Sequence, residues 1–320
     1  MKMTDYIVSR FIQAIPLLFG LTVIIFVVLM VLPGNPARMI QGVHANPEMT
    51  AYLIEKWGLD QPVHIRYVRW LWGVIRLDFG RSLYTNRPVL PTVMSHLANS
   101  LVLGVLAVVG GALVAIPIGV ISAVKPDSKI DGVSRIAALF GLSMPVFWSG
   151  MLMQIFFSVR LGILPVSGMA GTLFTIDRLK SLILPVSAVI IVGAAMDARV
   201  LRSSMMEIVN KEFILAARAK GLRMRDVIKD HALPNAILPF FTMVGLHMRM
   251  VLGGLVVVES VFSWPGIGLL FYQSIYNRDY PMVQACALVI AAGIFIVNLA
   301  VDITYAFLDP RIRFESAEGR

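Results

Sequence analysis

The chain has 320 residues, of which 58% are hydrophobic and only 15% charged, a balance that argues against one or two soluble domains. Uncharged apolar runs of 18 residues or more recur along it, which points to an all-α polytopic membrane protein. The net charge of +9 sits in loops beside those runs, where topology and anionic lipid headgroups account for it without nucleic acid, and the single cysteine, Cys286, excludes disulfides and thiolate metal sites.

The first apolar run extends from about Phe11 to Leu32, behind Lys2 and Arg10. It is longer than a signal-peptide core and ends at Leu32-Pro33-Gly34 with no small-residue cleavage pattern, so it is expected to stay as an anchor. Residues 33–98 are too polar to span. Within them, Asn46-Pro47-Glu48 is a helix start, with a capping side chain, proline at the first helical position and an acid in the first turn. Pro62 to Leu77 is amphipathic and sets Tyr67, Trp70 and Trp72 among arginines. That composition suits either the membrane–water interface or a helix packed on the rim of the bundle.

The second span covers about Leu101 to Val124, and a tight turn from Lys125 to Lys129 leads to a third from Ile136 to Val159. Met144-Pro145 interrupts the third, since proline removes a backbone bond and kinks the helix. A fourth, short run from Leu182 to Met196 ends against Asp197 and Arg199. The fifth and sixth cover about Ala236–Val258 and Met282–Leu308. Between these two, Ser260 to Gly268 (SVFSWPGIG) is expected to be a re-entrant or surface segment with an interfacial Trp264. Six transmembrane helices with both termini cytoplasmic follow from the count. This orientation puts sixteen Lys or Arg inside against eleven outside, and seven of the eleven belong to the long segment 33–98, which the positive-inside rule discounts.

The stretch Arg199 to Pro234 thereby faces the cytoplasm, with eight Lys or Arg in an otherwise oily chain. Glu212 to Lys220 has strong helix formers, and Gly221 stands where a helix stops in a left-handed cap. Phe213, Ala216, Ala217 and Lys220 are spaced i, i+3, i+4, i+7, which predicts one small, mostly apolar docking face. An ordinary interfacial amphipathic helix is the plainer reading of the same pattern.

The spacing Ala216-Ala217, three residues, Gly221, nine residues, His231, one residue, Leu233-Pro234 resembles the EAA loop of ABC importer permeases. Leu215 stands where that pattern has Glu, and His231 where it has Ile. LPGNPAR (32–38), GLDQPV (58–63), GLSMPVFWSGM (141–151), AARAKG (216–221), VFSWPGIG (261–268), RDYPMVQ (278–284) and VNLAVDITYAFLDPRIR (297–313) are similar to dipeptide/oligopeptide permeases. The type resembled is the first permease subunit, which carries a long loop after its first span.

The resemblance implies a type I ABC importer permease organised as residues 1–98 (first span and extracytoplasmic loop), 99–314 (a five-span core with cytoplasmic coupling loop 199–234) and a polar tail 315–320. It implies a second homologous permease, two ATP-binding subunits that carry ATP and Mg²⁺, and an extracytoplasmic solute-binding protein. Coupling would fall to Glu212, Ala216, Ala217, Arg218, Lys220, Gly221, Leu233 and Pro234. The missing acid at Leu215 leaves that seat to close packing by small residues.

No phosphate-binding GxxxxGK loop, HExxH pair or GxSxG serine occurs, so no catalytic or metal site is expected in this chain, nor a cofactor of its own. His247 and Arg249 lie near the middle of the fifth span, where charge is costly unless it faces water or a partner. Together with Met144 and Pro145 they are the candidates for the translocation pathway. Arg249 would either attract a peptide carboxylate or pair with Asp197 or an acid of the partner permease. The resemblance implies that Asp302, in the sixth span, pairs or caps inside the bundle. A stand-alone secondary transporter or channel is the alternative; it would predict inverted repeats and intramembrane acids, and no repeat is evident.

Overall fold

The computed structural model describes residues 3–31, 34–41, 45–172 and 175–308. His44, Leu32-Pro33, the stretch after Leu308 and the polar tail 315–320 lie outside the described residues. Those described are mostly helical, and an isolated antiparallel bridge, Arg81 to Pro88, is the one extended pairing among them. Among the described residues, five helices are long and apolar enough to cross a membrane. A pair bent by 108° makes a sixth if it counts as one broken span.

The chain divides into two compact units, residues 1–100 with 265–320, and residues 101–264. In the first unit, α1 (Met3–Val31) packs along α14 (Tyr280–Leu308). Phe11 meets Phe295 edge-on at 5.6 Å, and Arg10 and Tyr6 both reach Asp302 at 3.1 Å. The acid of the last span is thus paired inside the bundle, as intramembrane acids must be. The segment after α1 holds α2 (Pro36–Gln41), α3 (Pro47–Lys56) and α4 (Val63–Ile75). Asn46 caps α3 by accepting from the Glu48 N–H, with Pro47 at the first position. On α4, Tyr67 shares a 2.8 Å hydrogen bond with Thr22 of α1, and Phe26, Tyr67 and Trp70 form a ring cluster. Trp72 is turned outward with Arg76 over its face. Tyr67 and Trp70 thus pack inward on α1, and Trp72 keeps an outward aromatic face on α4. Asp279, buried before α14, ties down the segment before α5 by accepting from the Ser82 hydroxyl and the Leu83 N–H.

The helix α5 (Val89–Val124) begins twelve residues before the run that hydropathy marks, because Val89 and Val93 are buried in the first unit's core. In the second unit it is followed by α6 (Lys129–Ser143), capped by Ser128. Then Met144, in extended conformation before Pro145, breaks the chain into α7 (Val146–Met153), which continues as a wider π-helical turn to Arg160. The pre-proline residue is pushed out of the helical region by the proline ring, which places the break there.

The largest departure from expectation is α8, which runs without interruption from Ile176 to Val209. The fourth span does not stop at Asp197, and the basic stretch is not a loop over its first eleven residues. Its Leu201, Met205 and Ile208, spaced i, i+4, i+7, are buried in the unit's core and keep the helix going. At about 1.5 Å per residue α8 is some 50 Å long, more than the roughly 30 Å of hydrocarbon that a span has to cross.

After α8 come α9 (Glu212–Ala219), the single turn α10 (Met224–Asp226) with a π-helical continuation to Ala232, α11 (Leu233–Gly254) and α12 (Val256–Val261). Gly119 and Gly141 let α5 and α6 lie against α8, since a Cβ at either would come within 3.0 Å of α8 atoms. Close approach through small residues is how helices associate where lipid removes the hydrophobic drive. Trp264 is not interfacial. It is wholly buried, with the Arg178 guanidinium 4.7 Å from its ring. In the first unit α13 (Ile267–Tyr276) packs on α14.

Candidate functional site

The stretch after α8 is built as a short helix held down on one side and bare on the other. Lys211 starts α9, and Lys220 ends it, after which Gly221 takes φ +81°, the left-handed position that stops a helix at little cost only in glycine. Ile214 and Ala217, one turn apart, are buried among Leu201, Met205 and Ile208 of α8, Val227, Ala232, and Ala236 and Phe240 of α11. These contacts fix the angle of α9 to the two helices that flank it.

The exposed side carries Glu212, Phe213, Leu215, Ala216, Arg218 and Lys220, followed by Gly221, Leu222 and Met224. Phe213 is 44% exposed and Leu215 53%, unusual for apolar side chains on a short charged helix. Of the four residues expected to share one face, Ala217 points into the core, while Phe213, Ala216 and Lys220 point out. The periodicity was ambiguous because both faces of this helix are partly apolar. Ile214 is the residue that sequence reasoning missed; its i, i+3 spacing with Ala217 was the available signal. Leu233 is half-buried against the same core, and Pro234, exposed, occupies the first turn of α11. No carboxylate stands at position 215, so the outward face offers apolar and cationic contacts around Glu212.

The intramembrane candidates separate. His247 on α11 places Nδ1 3.3 Å from Asp197 Oδ2 on α8. Asp197, one of the partners considered for Arg249, is thus engaged by His247, two residues earlier. Arg249 is half-buried. His247 and Asp197 line a cavity of about 290 Å³ among α5, α7, α8, α11 and α12, whereas Arg249, Met144 and Pro145 do not. Among the described residues no group of three or more His, Cys, Asp or Glu could hold a metal ion.

A second wide groove, about 520 Å³, lies among α5, α6 and α8. Its walls are apolar, and at one end Arg135 and Arg202 converge on the buried Asp131, at 2.9 and 2.6 Å. Nothing in local sequence marks this cluster, since 71 residues separate Asp131 from Arg202.

Five or six apolar helices, with a short amphipathic helix anchored between two of them, define a subunit of the membrane-spanning class. The chain belongs to the family of binding-protein-dependent transport system inner membrane components, whose model matches residues 115–314, with the corresponding N-terminal model on residues 3–104. It is thus the permease subunit of an ABC importer and a multi-pass protein of the cytoplasmic membrane.

Among curated relatives, it is 37% identical over 316 residues to the oligopeptide transport system permease protein AppB of Bacillus subtilis, covering 98% of this chain and all of that one. It is 36% identical to the dipeptide transport system permease protein DppB of Alkalihalophilus pseudofirmus, again over 98% of this chain and all of the relative. The glutathione transport system permease protein GsiC of Salmonella paratyphi A matches equally, at 36% identity over 98% and 100%. Among solved structures, a chain of the inward-facing MetNI methionine ABC transporter superposes with a TM-score of 0.56 at 18% identity, over 70% of this chain and 99% of that one. That likeness is one of fold.

Proposed function

We propose that this permease carries di- or oligopeptides, handed over by an extracytoplasmic solute-binding protein, through a pathway shared with a second homologous permease. Near-full-length identity to oligopeptide and dipeptide permeases carries this reading. ATP, with Mg²⁺, is hydrolysed on two separate ATPase subunits. The chain crosses the membrane six times, with α6 and α7 as one broken span and both termini in the cytoplasm.

In this reading α9 is the coupling helix. Its outward face, with Glu212, Phe213, Ala216, Arg218, Lys220 and Gly221, seats in a groove of the ATPase, while Ile214, Ala217 and Leu233 transmit the movement to α8 and α11. A lever of this kind must be short and stiff, and must have two arrangements for the nucleotide cycle to select between. Support comes from the joint presence of an exposed apolar face and a buried anchor on one eight-residue helix.

The test is co-expression of the chain with its second permease and ATPase subunits, with uptake of labelled dipeptides, longer peptides and glutathione measured in proteoliposomes. Uptake of peptides that depends on ATP and on the binding protein is expected. Gly221→Asp, which puts bulk and charge at the outward tip, is expected to abolish uptake while the subunit stays in the membrane at normal abundance. Undiminished peptide uptake by that variant would refute the coupling role, and uptake of none of the panel by the unaltered transporter would refute the cargo.

A further inference from the structure

The cavity beside Asp197 and His247 has three properties that a merely structural ion pair does not require. Asp197 is 3% exposed, and only its Oδ2 is engaged, by His247; the second oxygen, Oδ1, is buried with no hydrogen-bond partner. A buried carboxylate oxygen left unpaired is strongly disfavoured, and native proteins supply such atoms with a partner or a ligand. The acid also opens on space rather than on packed side chains, since it lines the 290 Å³ cavity. Finally, the walls of that cavity are apolar or small, with Gly104, Gly193, Val251 and Leu255 among them, and Asp197 and His247 are its only titratable lining residues.

An apolar chamber with one acid, that acid half-satisfied and oriented by a histidine, is complementary to a compact cation bearing hydrogen-bond donors and an apolar body. A metal ion would want more ligands than one carboxylate and one imidazole provide. A guanidinium would want both carboxylate oxygens for its fork, and one is already taken by His247. A primary ammonium, with three rotatable donors on an aliphatic carbon, needs only Oδ1.

We propose that Asp197 and the cavity it lines form a binding site for a primary ammonium group attached to an apolar body, with His247 as the positioning residue that holds the carboxylate. Under the peptide cargo proposed above, the natural occupant is the free amino terminus of a peptide whose first side chain is apolar; that assignment rests on the cargo reading, whereas the ammonium site does not. The volume suits one terminal residue rather than a whole oligopeptide, so the site would select the leading end of the cargo.

The experiment uses the full transporter in nanodiscs of phosphatidylcholine and phosphatidylglycerol, which contain no primary amine, with pentylammonium as the probe and pentanol and pentanoate as isosteric controls. Pentylammonium is expected to raise the melting temperature with a half-saturating concentration at least tenfold below that of pentanol, and pentanoate to have no such effect. Asp197→Asn should remove the ammonium preference and Asp197→Glu should retain it. Gly193→Leu should abolish it with the acid in place, since a Cβ at 193 would lie 3.8 Å from the His247 ring and its branches would fill the chamber. This variant also carries the test if D197N fails to assemble. Equal responses to the three probes, or an ammonium response unchanged in D197N or G193L, would overturn the proposal.

Two competitors identify the source of the group. Displacement of pentylammonium by leucyl-leucine but not by its N-acetyl form assigns the site to peptide termini, and displacement on adding phosphatidylethanolamine assigns it to a lipid headgroup. Displacement by neither overturns the peptide-terminus assignment. Peptide uptake by the unaltered transporter is measured in parallel, so that loss of the cargo reading is separated from loss of the site.

Discussion

Asp131 accepts from Arg202 at both carboxylate oxygens, Nε to Oδ1 at 2.6 Å and Nη2 to Oδ2 at 3.0 Å, and so ties the first turn of α6 to the stretch of α8 that leads to α9. Arg135 approaches the same carboxylate at 2.9 Å, and the Asp127 N–H donates to it at 3.0 Å. The acid is wholly buried, so removing Arg202 leaves its Oδ1 without a partner while Arg135 and the Asp127 N–H still hold Oδ2.

Arg202→Ala is accordingly expected to lower the melting temperature of the detergent-purified chain. Arg202→Lys should recover only part of the loss, because a single ammonium cannot reproduce the two-pronged contact. Because the residues act as one unit, Asp131→Asn combined with Arg202→Ala should melt no lower than the worse single variant. Strictly additive losses would show that the pair is not a unit.

At Gly104, an added Cβ would lie 2.1 Å from Cγ1 of Val251, which means that α5 and α11 cross with no room for a methyl group. Gly104→Ala is expected to cost about 1–3 kcal/mol through overpacking. Val251→Ala in the same chain should restore part of it, because the Cγ contacts at 2.1 and 2.8 Å go while the Cβ at 2.9 Å stays. Thermal melting of the two singles and the double decides the matter; a double variant worse than G104A would contradict the crossing.

The two faces of α9 should respond differently to substitution. Ile214→Ala removes a fully buried side chain and is expected to cost about 2–5 kcal/mol. Phe213→Asp and Leu215→Asp, on the bare face, should change stability by no more than about 0.5 kcal/mol yet abolish co-purification with the ATPase subunits. Retention of the ATPase by the double aspartate variant would remove this face as the docking surface.

Gly221 sits at φ +81° with open space around the position of a Cβ, so its requirement is conformational rather than steric. Gly221→Val is expected to cost about 1–2 kcal/mol, the penalty of a left-handed conformation for an ordinary residue. Asn tolerates that region, so Gly221→Asn should keep most of the stability. A valine variant as stable as the asparagine one would mean that the turn re-forms in another conformation.

The membrane class and the rough places of six apolar runs were legible directly, because each span must satisfy its own backbone in lipid and so writes a local, one-dimensional signal. The break at Met144-Pro145, the Asn46 cap and the Gly221 stop were legible for the same reason: each is a rule about a residue and its neighbours along the chain. The spacing from Ala216 to Pro234 likewise singled out α9.

Pairing could not be read that way. Whether Asp197 meets Arg249 or His247 depends on the rotation of α8 against α11, and hydropathy says nothing about rotation. The same holds for Asp131 and Arg202, and for Trp264, whose aromatic character suits an interface as well as the core in which it lies. Both ends of α8 and the start of α5 were misplaced because helix length there is set by burial against other helices, at Leu201, Met205 and Ile208 and at Val89 and Val93, and not by contact with lipid. Local chemistry by itself determined which segments enter the membrane and where the chain turns. Only the tertiary structure decided which face of α9 is anchored and which polar groups meet, because those outcomes depend on how helices distant in sequence are packed.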